Sequence, residues 1–407
     1  MKYRYTVLVM LLLAASTAFP QNIASRVNKD TLSLYLRQLT GDTPCILDGN
    51  TYTITSRSTM EKSMNYLAAR YIKFRLQSYG LTVTEQPFTF SGGTEAKNVY
   101  AVQQGNKSPY KEKKLIICAH FDNVAEGRGA DDNGSGTVAV LEAARIISKL
   151  KPDYTIVYAL WSGEEQGLNG SAYYASQAHN NNENIAGVLN LDMIGGYYMP
   201  GASATDLAIY DDYSTTKFMT DVLSSVNVNY NIGLVLSRYQ ITMQSSDNYS
   251  FSRRGYPAIC LIEANYHSNP NYHKSTDTYS NIDFPFFEKC SRVAVGAFAE
   301  ISGAAIPATP IENNAAVPTE FALYQNYPNP FNPSTVISYS LKTAGYVNLK
   351  VFDLLGREIT TLVDQYQPAG KHQALFSITG NKLSSGIYLY KLQTGNLCQI
   401  RKMVYNK

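Results

Sequence analysis

Five short segments of the chain carry side chains of the type that bind metal ions. They are His120 and Asp122 in AHFDN, Asp131 and Asp132 in GADDNGSG, Glu164 and Glu165 in WSGEEQG, Asp192 in NLDMIG, and His273 in YHKSTDT. The donors are nitrogen and oxygen only, which suits zinc or another first-row divalent ion. Each segment also has an ordinary reading. Glu164-Glu165 is by itself a common solvated pair, although it follows an apolar run and precedes Gly167. Asp132 before Asn133-Gly134-Ser135 is equally turn and cap chemistry. Asp192 can cap an element, and His120 can be a satisfied core histidine. Composition weighs against these readings, because two of only five histidines stand in acid-bearing motifs. Asp122 follows His120 by two residues, which on an extended backbone places both side chains on one side. A carboxylate there can accept the second imidazole N–H and fix the ring.

For these groups to meet, the fold must bring distant segments to one edge. Helical patterns cover 29–38 and 59–79, the second stopped by Gly80. The period then changes to alternation in LTVTEQPFTF and NVYAVQQG, followed by a continuous apolar strand at 113–119. Ser135 is placed to cap a helix reaching about residue 150. A strand at 154–160, a helix at 171–178 and strands at 185–191 and 256–262 complete the pattern. This alternation predicts an α/β fold, a three-layer, mostly parallel sheet flanked by helices. In such sheets functional groups gather beyond the carboxyl ends of the strands, where His120, Glu164, Glu165 and Asp192 all fall.

The remaining chain divides by composition. Residues 1–20 read as a signal peptide: Lys2 and Arg4 precede an apolar run at 6–15, and small residues follow. That run is too short to span a bilayer, so no integral membrane span is expected. A domain over 21–303 bears the motifs, and 304–320 is an Ala-, Pro- and Asn-rich linker. Residues 321–407 show short alternating strands separated by turns, a small all-β sandwich. The 35 basic and 32 acidic residues give a net charge of +3, spread along the chain, so no nucleic-acid partner is expected. The five cysteines lack any close pair; Cys118 and Cys260 lie in apolar runs and read as buried thiols.

AHFDNV, GADDNGSG, WSGEEQGLNGSAYY, VLNLDMIG, SDNYSF and HKSTDT, in this order over about residues 23–302, resemble the dinuclear zinc aminopeptidases of metallopeptidase family 28. The resemblance implies a zinc exopeptidase-like fold holding two Zn2+ ions. Asp132 would bridge them, with His120 and Asp192 completing one ligand set and Glu165 and His273 the other. Asp122 would orient His120. Glu164 would act as general base towards a zinc-bridged water that attacks the scissile carbonyl. Tyr272 would donate a hydrogen bond to the oxyanion, although simple packing is an alternative in a chain with 32 tyrosines. His267 competes with His273 for the last ligand position, and Asp131 with Asp132.

NYPNPFNPSTVISYSL, VFDLLGREITTL, SSGIYLYKL and the final KMVYNK resemble the sorting domain of type IX secretion substrates in Gram-negative bacteria. A carbohydrate-binding or adhesive module is the alternative. Together these features lead us to expect a secreted or cell-surface metallo-aminopeptidase acting on peptide or protein N-termini and exported by the type IX machinery. A related dizinc carboxypeptidase or deacylase, a single-zinc glutaminyl cyclase and an inactive surface-binding protein are the competing readings.

Overall fold

Two buried strands set the architecture. In Lys114–His120 and Thr155–Trp161 nearly every side chain is buried. Leu115, Ile117 and Ala119 pack into one apolar cluster, and the alternating Ile116 and Cys118 pack into another. A strand covered on both faces needs apolar residues at every position, which is why these runs are continuous and not alternating.

The computed structural model describes residues 22–197, 206–304, 320–332, 334–343, 345–367, 370–378 and 383–406. The expected signal peptide, and the expected linker apart from its end residues, lie outside them. The chain forms two compact units, Met1–Ala308 and Thr309–Lys407.

In the first unit the strands are β1 (Cys45–Leu47), β2 (Asn50–Tyr52), β3 (Thr82–Phe90), β4 (Thr94–Gln103), β5 (Lys114–His120), β6 (Thr155–Trp161), β7 (Ile185–Leu191), β8 (Asp206–Tyr210), β9 (Val235–Tyr239) and β10 (Ala258–Glu263). β1 and β2 form a small hairpin, and the other eight make one sheet in the order β3-β4-β6-β5-β7-β10-β8-β9. The helices are α1 (Lys29–Leu39), α2 (Lys62–Ser78), α3 (Gly136–Ile147), α4 (Asn169–Asn180), α5 (Lys217–Asn229), α6 (Asn248–Ser252) and α7 (Phe284–Ile301). Residues of α1, α2, α3, α5 and α7 share the larger cluster on one face, and residues of α4 and α6 share the cluster on the other. Three layers result.

The sheet is mixed, which refines the expectation of a mostly parallel one. The central β6-β5-β7-β10 run is parallel. β3 pairs with β4, β4 with β6, and β8 with β10 in antiparallel fashion. The β3–β4 connection is too short for a crossover, so that pair must be a hairpin. Two local expectations also change. α2 begins at Lys62, not near residue 59. Ser135 makes no side-chain cap; Asn133 instead accepts the Gly136 N–H through Oδ1 at 2.9 Å. The Ser135 hydroxyl is committed to the Asp131 carbonyl at 2.8 Å.

The second unit contains β11 (Ala322–Leu323), β12 (Ser334–Leu341), β13 (Gly345–Phe352), β14 (Glu358–Gln367), β15 (Gly370–Ser377), β16 (Gly386–Thr394) and β17 (Leu397–Tyr405). They form two antiparallel sheets, β11-β12-β15 and β14-β13-β16-β17. Ile337 and Tyr339 from the first and Val347, Leu349 and Tyr390 from the second meet in one core, which makes a sandwich. All five cysteines are free thiols, four of them buried. Among the described residues no helix is long and apolar enough to cross a membrane.

Candidate metal centre

Parallel register brings the motif residues to one edge. Cys118 on β5 pairs with Asn190 on β7, so His120, the last residue of β5, and Asp192, just past the end of β7, stand level at one edge of the sheet. His120 pairs with Trp161 at the end of β6, and the turn after it carries Glu164 and Glu165. Asp132 lies in the turn leading into α3. His273 lies in the loop following β10, with φ of +55°, a left-handed conformation that a residue with Cβ adopts only where its surroundings hold it.

Two groups of ligand atoms result, and they share Asp132. Oδ1 of Asp132 lies 3.5 Å from His120 Nε2, which is also 3.4 Å from Asp192 Oδ1. Oδ2 of Asp132 lies 3.2 Å from His273 Nε2, which is also 3.3 Å from Glu165 Oε2. A third possible group joins His120 to Glu164 and Glu165. Glu164 is the more distant member, its Oε2 being 3.9 Å from His120 Nε2. Asp132 and Asp192 are buried, and His273 stands at the solvent rim.

Most of the other expected residues are close by. Tyr272 lines the same cavity, half-buried, its ring 4.0 Å from that of His273. Asp131 points away from the ligand atoms: Oδ1 accepts the Gly195 N–H at 2.8 Å and Oδ2 accepts from Asn269 at 3.2 Å. His267 is exposed, belongs to none of the ligand groups and does not line the cavity. Asp122 departs from expectation. His120 Nδ1 lies 3.2 Å from the backbone carbonyl of Asp122 but 3.7 Å from its carboxylate. β5 ends at His120, so Asp122 already lies on a loop, and its carboxylate accepts the N–H groups of Glu164 and Glu165 at 3.2 and 3.4 Å. Asp122 thus holds the glutamate turn as well as the histidine.

Three supports had no legible signal of their own. Asp277 in the STDT string accepts the Asp131 N–H at 2.8 Å and the Asp132 N–H at 3.0 Å, fixing the backbone from which the shared carboxylate projects. Ser246 donates to Asp192 Oδ2 at 2.5 Å while accepting from Asn190 at 2.7 Å. Arg57, fully buried, donates to the carbonyls of Phe121 (2.6 Å), Leu39 (3.2 Å), Arg128 (2.7 Å) and Gly129 (2.6 Å). It therefore ties down both ends of the loop between His120 and Asp132. A lone arginine amid serines and threonines announces none of this; only SDNYSF and HKSTDT mark two of the three regions.

The electrostatics describe a site built for cations. Burial pushes the Glu164 carboxyl well above the usual range; His120 opposes this, while Asp247 and Asp192 add to it. Burial, with repulsion from Glu165, raises Asp132 to about 6. Burial disfavours the charged form of His120, yet Glu164, Asp192 and Asp132 outweigh it and hold the ring well above its ordinary pKa. Hydrogen bonds to Asp132 and Glu165 raise His273 to about 10. Burial, the largest cause, raises Asp247 to about 7, with His120 opposing and Asp192 and Asp122 adding to the rise. Glu165 Oε1 is buried with no hydrogen-bond partner among the described residues. An orphaned carboxylate oxygen inside a nitrogen-and-oxygen donor set is what a divalent cation would satisfy, so these residues fit zinc.

The site opens into a cavity of about 440 Å³. Met193, Met243, Ile262 and Tyr266 form an apolar wall.

Residues 98–298 match the family described as peptidase family M28, and residues 325–406 match the secretion system C-terminal sorting domain. Leupeptin-inactivating enzyme 1 of Streptomyces exfoliatus is 30% identical over 304 residues, covering 68% of this chain and 62% of that protein. The chain spans between about half and two thirds of the length of the curated relatives it matches. Among solved structures, BSAP, a zinc aminopeptidase from Bacillus subtilis, aligns with a TM-score of 0.58 at 13% identity, over 69% of this chain and 98% of that one. The Fimbriiglobus ruber glutaminyl cyclase aligns with a TM-score of 0.55 at 17% identity, over 67% and 94%. A peptidase and a cyclase share this architecture, so the fold by itself does not select the reaction.

Proposed function

Since residues 98–298 form a domain of peptidase family M28 and residues 325–406 a secretion system C-terminal sorting domain, we propose that the protein is an exported zinc aminopeptidase that removes residues from peptide N-termini. One observation carries the choice of a two-ion site over a one-ion cyclase site. The two oxygens of Asp132 face different imidazoles, His120 at 3.5 Å and His273 at 3.2 Å, and each imidazole has its own second carboxylate. In this reading His120, Asp132 and Asp192 hold one zinc, and Asp132, Glu165 and His273 hold the other. When bound, such ions act as Lewis acids towards a carbonyl and acidify a water.

The chain's own groups then divide the remaining work. Glu164, with its raised pKa and no closer tie to either ligand set, takes the proton of the attacking water at Oε2 and returns it to the departing amine. Asp122 keeps Glu164 in place through the backbone N–H. Tyr272 donates its hydroxyl proton towards the oxygen that gains charge, and burial, with Asp132 and Asp192, keeps that proton on. The wall of Met193, Met243 and Ile262 receives an apolar first side chain. The sorting domain directs the protein to the cell surface or beyond, through the type IX machinery of a Gram-negative cell, after a signal peptide has been removed.

The test is a panel of free and N-acetylated aminoacyl-anilides, assayed with chelator and zinc add-back, together with metal analysis. Expected are about two zinc ions per chain and chelator-sensitive cleavage of unblocked substrates only. One zinc per chain with cyclisation of N-terminal glutamine would replace this reading with the cyclase.

A further inference from the structure

The cavity that holds the ligand atoms is acidic at its floor and apolar along one wall, yet one strong cation stands on its lining. Asp132, Glu164, Glu165 and Asp192 supply the carboxylates, and Arg253 is the lysine- or arginine-type residue among the described residues that line it. Arg253 follows α6 directly, is exposed, and has no ion-pair partner among the described residues. Its guanidinium lies 5.7 Å from the ring centroid of Tyr249, another lining residue. The neighbouring Arg254 serves the fold instead, bonding the Ser250 carbonyl at 2.7 Å and the Ser176 hydroxyl. Of the two adjacent arginines, then, one is tied into structure and the other is left facing the site.

We propose that Arg253 receives the C-terminal carboxylate of a dipeptide bound in this cavity, making the enzyme selective for very short peptides with a free acid end. The inference rests on the aminopeptidase reading above. Its reasoning is positional. Met193, Met243 and Ile262 are buried and suit the side chain of the first residue, whereas Arg253 is exposed and so stands towards the mouth, where the departing part of the substrate lies. A guanidinium offers a planar pair of donors that matches a carboxylate. Two extended residues span about 7 Å, and a cavity of about 440 Å³ falls at the smaller end of small-molecule sites. A longer peptide would carry its carboxylate past Arg253, and an amide would leave the cation without its partner.

The experiment compares kcat/KM for Leu-Gly and Leu-Gly-amide with the full zinc-loaded chain, using Leu-anilide as a substrate that has no carboxylate. The wild-type protein is expected to favour the free acid by about tenfold, the size of one partly exposed charge-assisted pair. Arg253→Gln should bring the ratio of acid to amide to about one, and Arg253→Lys should restore part of it. Equal rates for acid and amide in the wild type, or a preference that survives Arg253→Gln, overturn the proposal while Leu-anilide turnover keeps the aminopeptidase reading. A preference for N-terminal Asp or Glu that Arg253→Gln abolishes also overturns it, by placing the guanidinium at the other end of the substrate. Failure of all three substrates removes both readings together.

Discussion

Glu164→Gln separates a base from a ligand, and its effects can be worked out in advance. The substitution keeps shape and removes only charge and basicity. In the ligand sets the short distances run among His120, Asp132, Asp192, Glu165 and His273, between 3.2 and 3.5 Å, while Glu164 stands 3.9 Å from His120. Both sets remain complete without it, so zinc content should be unchanged. Turnover should fall by about 10³, within the range for removing a general base, which corresponds to about 4 kcal/mol of barrier. A third effect concerns the metal-free protein. A carboxyl whose pKa is raised in the folded state opposes folding at pH above its unfolded value, and burial with Asp247 and Asp192 raises that of Glu164. Glutamine relieves this cost. Each pKa unit relieved is about 1.4 kcal/mol, so the metal-free variant should melt about 3 °C or more above the metal-free wild type. Anilide assays, metal analysis and calorimetry on one preparation read all three quantities. Near-native turnover with full zinc would remove Glu164 from the chemistry. Loss of about one zinc would instead make it a ligand, as the His120–Glu164–Glu165 group allows.

Two further predictions follow from the same geometry. In the metal-free chain His273 is raised to about 10 and His120 lies well above its ordinary value, so both rings are protonated at neutral pH. The contribution of His273 to apo stability is then full below about 6.5, its unfolded value, and is lost as pH rises through about 10. Zinc must displace these protons. Titration calorimetry at pH 7 in two buffers of different ionisation heat should therefore show release of about two protons per chain, with affinity rising with pH; a heat independent of buffer would refute it. Asp277→Asn turns one acceptor of the Asp131 and Asp132 N–H groups into a donor facing a donor. Zinc affinity measured by chelator competition should drop by about 10–100-fold, and an unchanged value would show that Asp277 does not govern how Asp132 is held.

The readable elements were those whose environment leaves a one-dimensional trace. β5, β6 and β7 are buried on both faces, and each lies within a residue of its expected limits, as a continuous apolar run in β5 and β6 and as one interrupted by Asn190 in β7. α1 and α4 likewise fall within two residues of their patterns. The edge strand β9 and the short β8 carry weaker signals, because an edge strand is half in water and need not repeat apolar residues. α6, only five residues long, is held by Phe251 in the apolar cluster on one sheet face and by the Asn248 amide donating to the Met243 carbonyl, and not by its own periodicity. The direction of β8 depends on which neighbour it meets, information that no local window contains.

The candidate ligands were legible because chemistry restricts them: a cation of this kind accepts few residue types, and those types stand out where apolar strands end. From the sequence came the identity of His120, Asp132, Glu165, Asp192 and His273 and the expectation that they converge. The family resemblance already pairs Asp192 with His120 and Glu165 with His273; that Asp131 turns to Gly195 and Asn269, that His267 is exposed, and that the Asp122 carboxylate holds the Glu164–Glu165 turn are visible only in the tertiary structure. The physical reason is that residue type is a local property, whereas the direction of a side chain depends on backbone angles and on partners supplied from far along the chain, such as Arg57, Ser246 and Asp277.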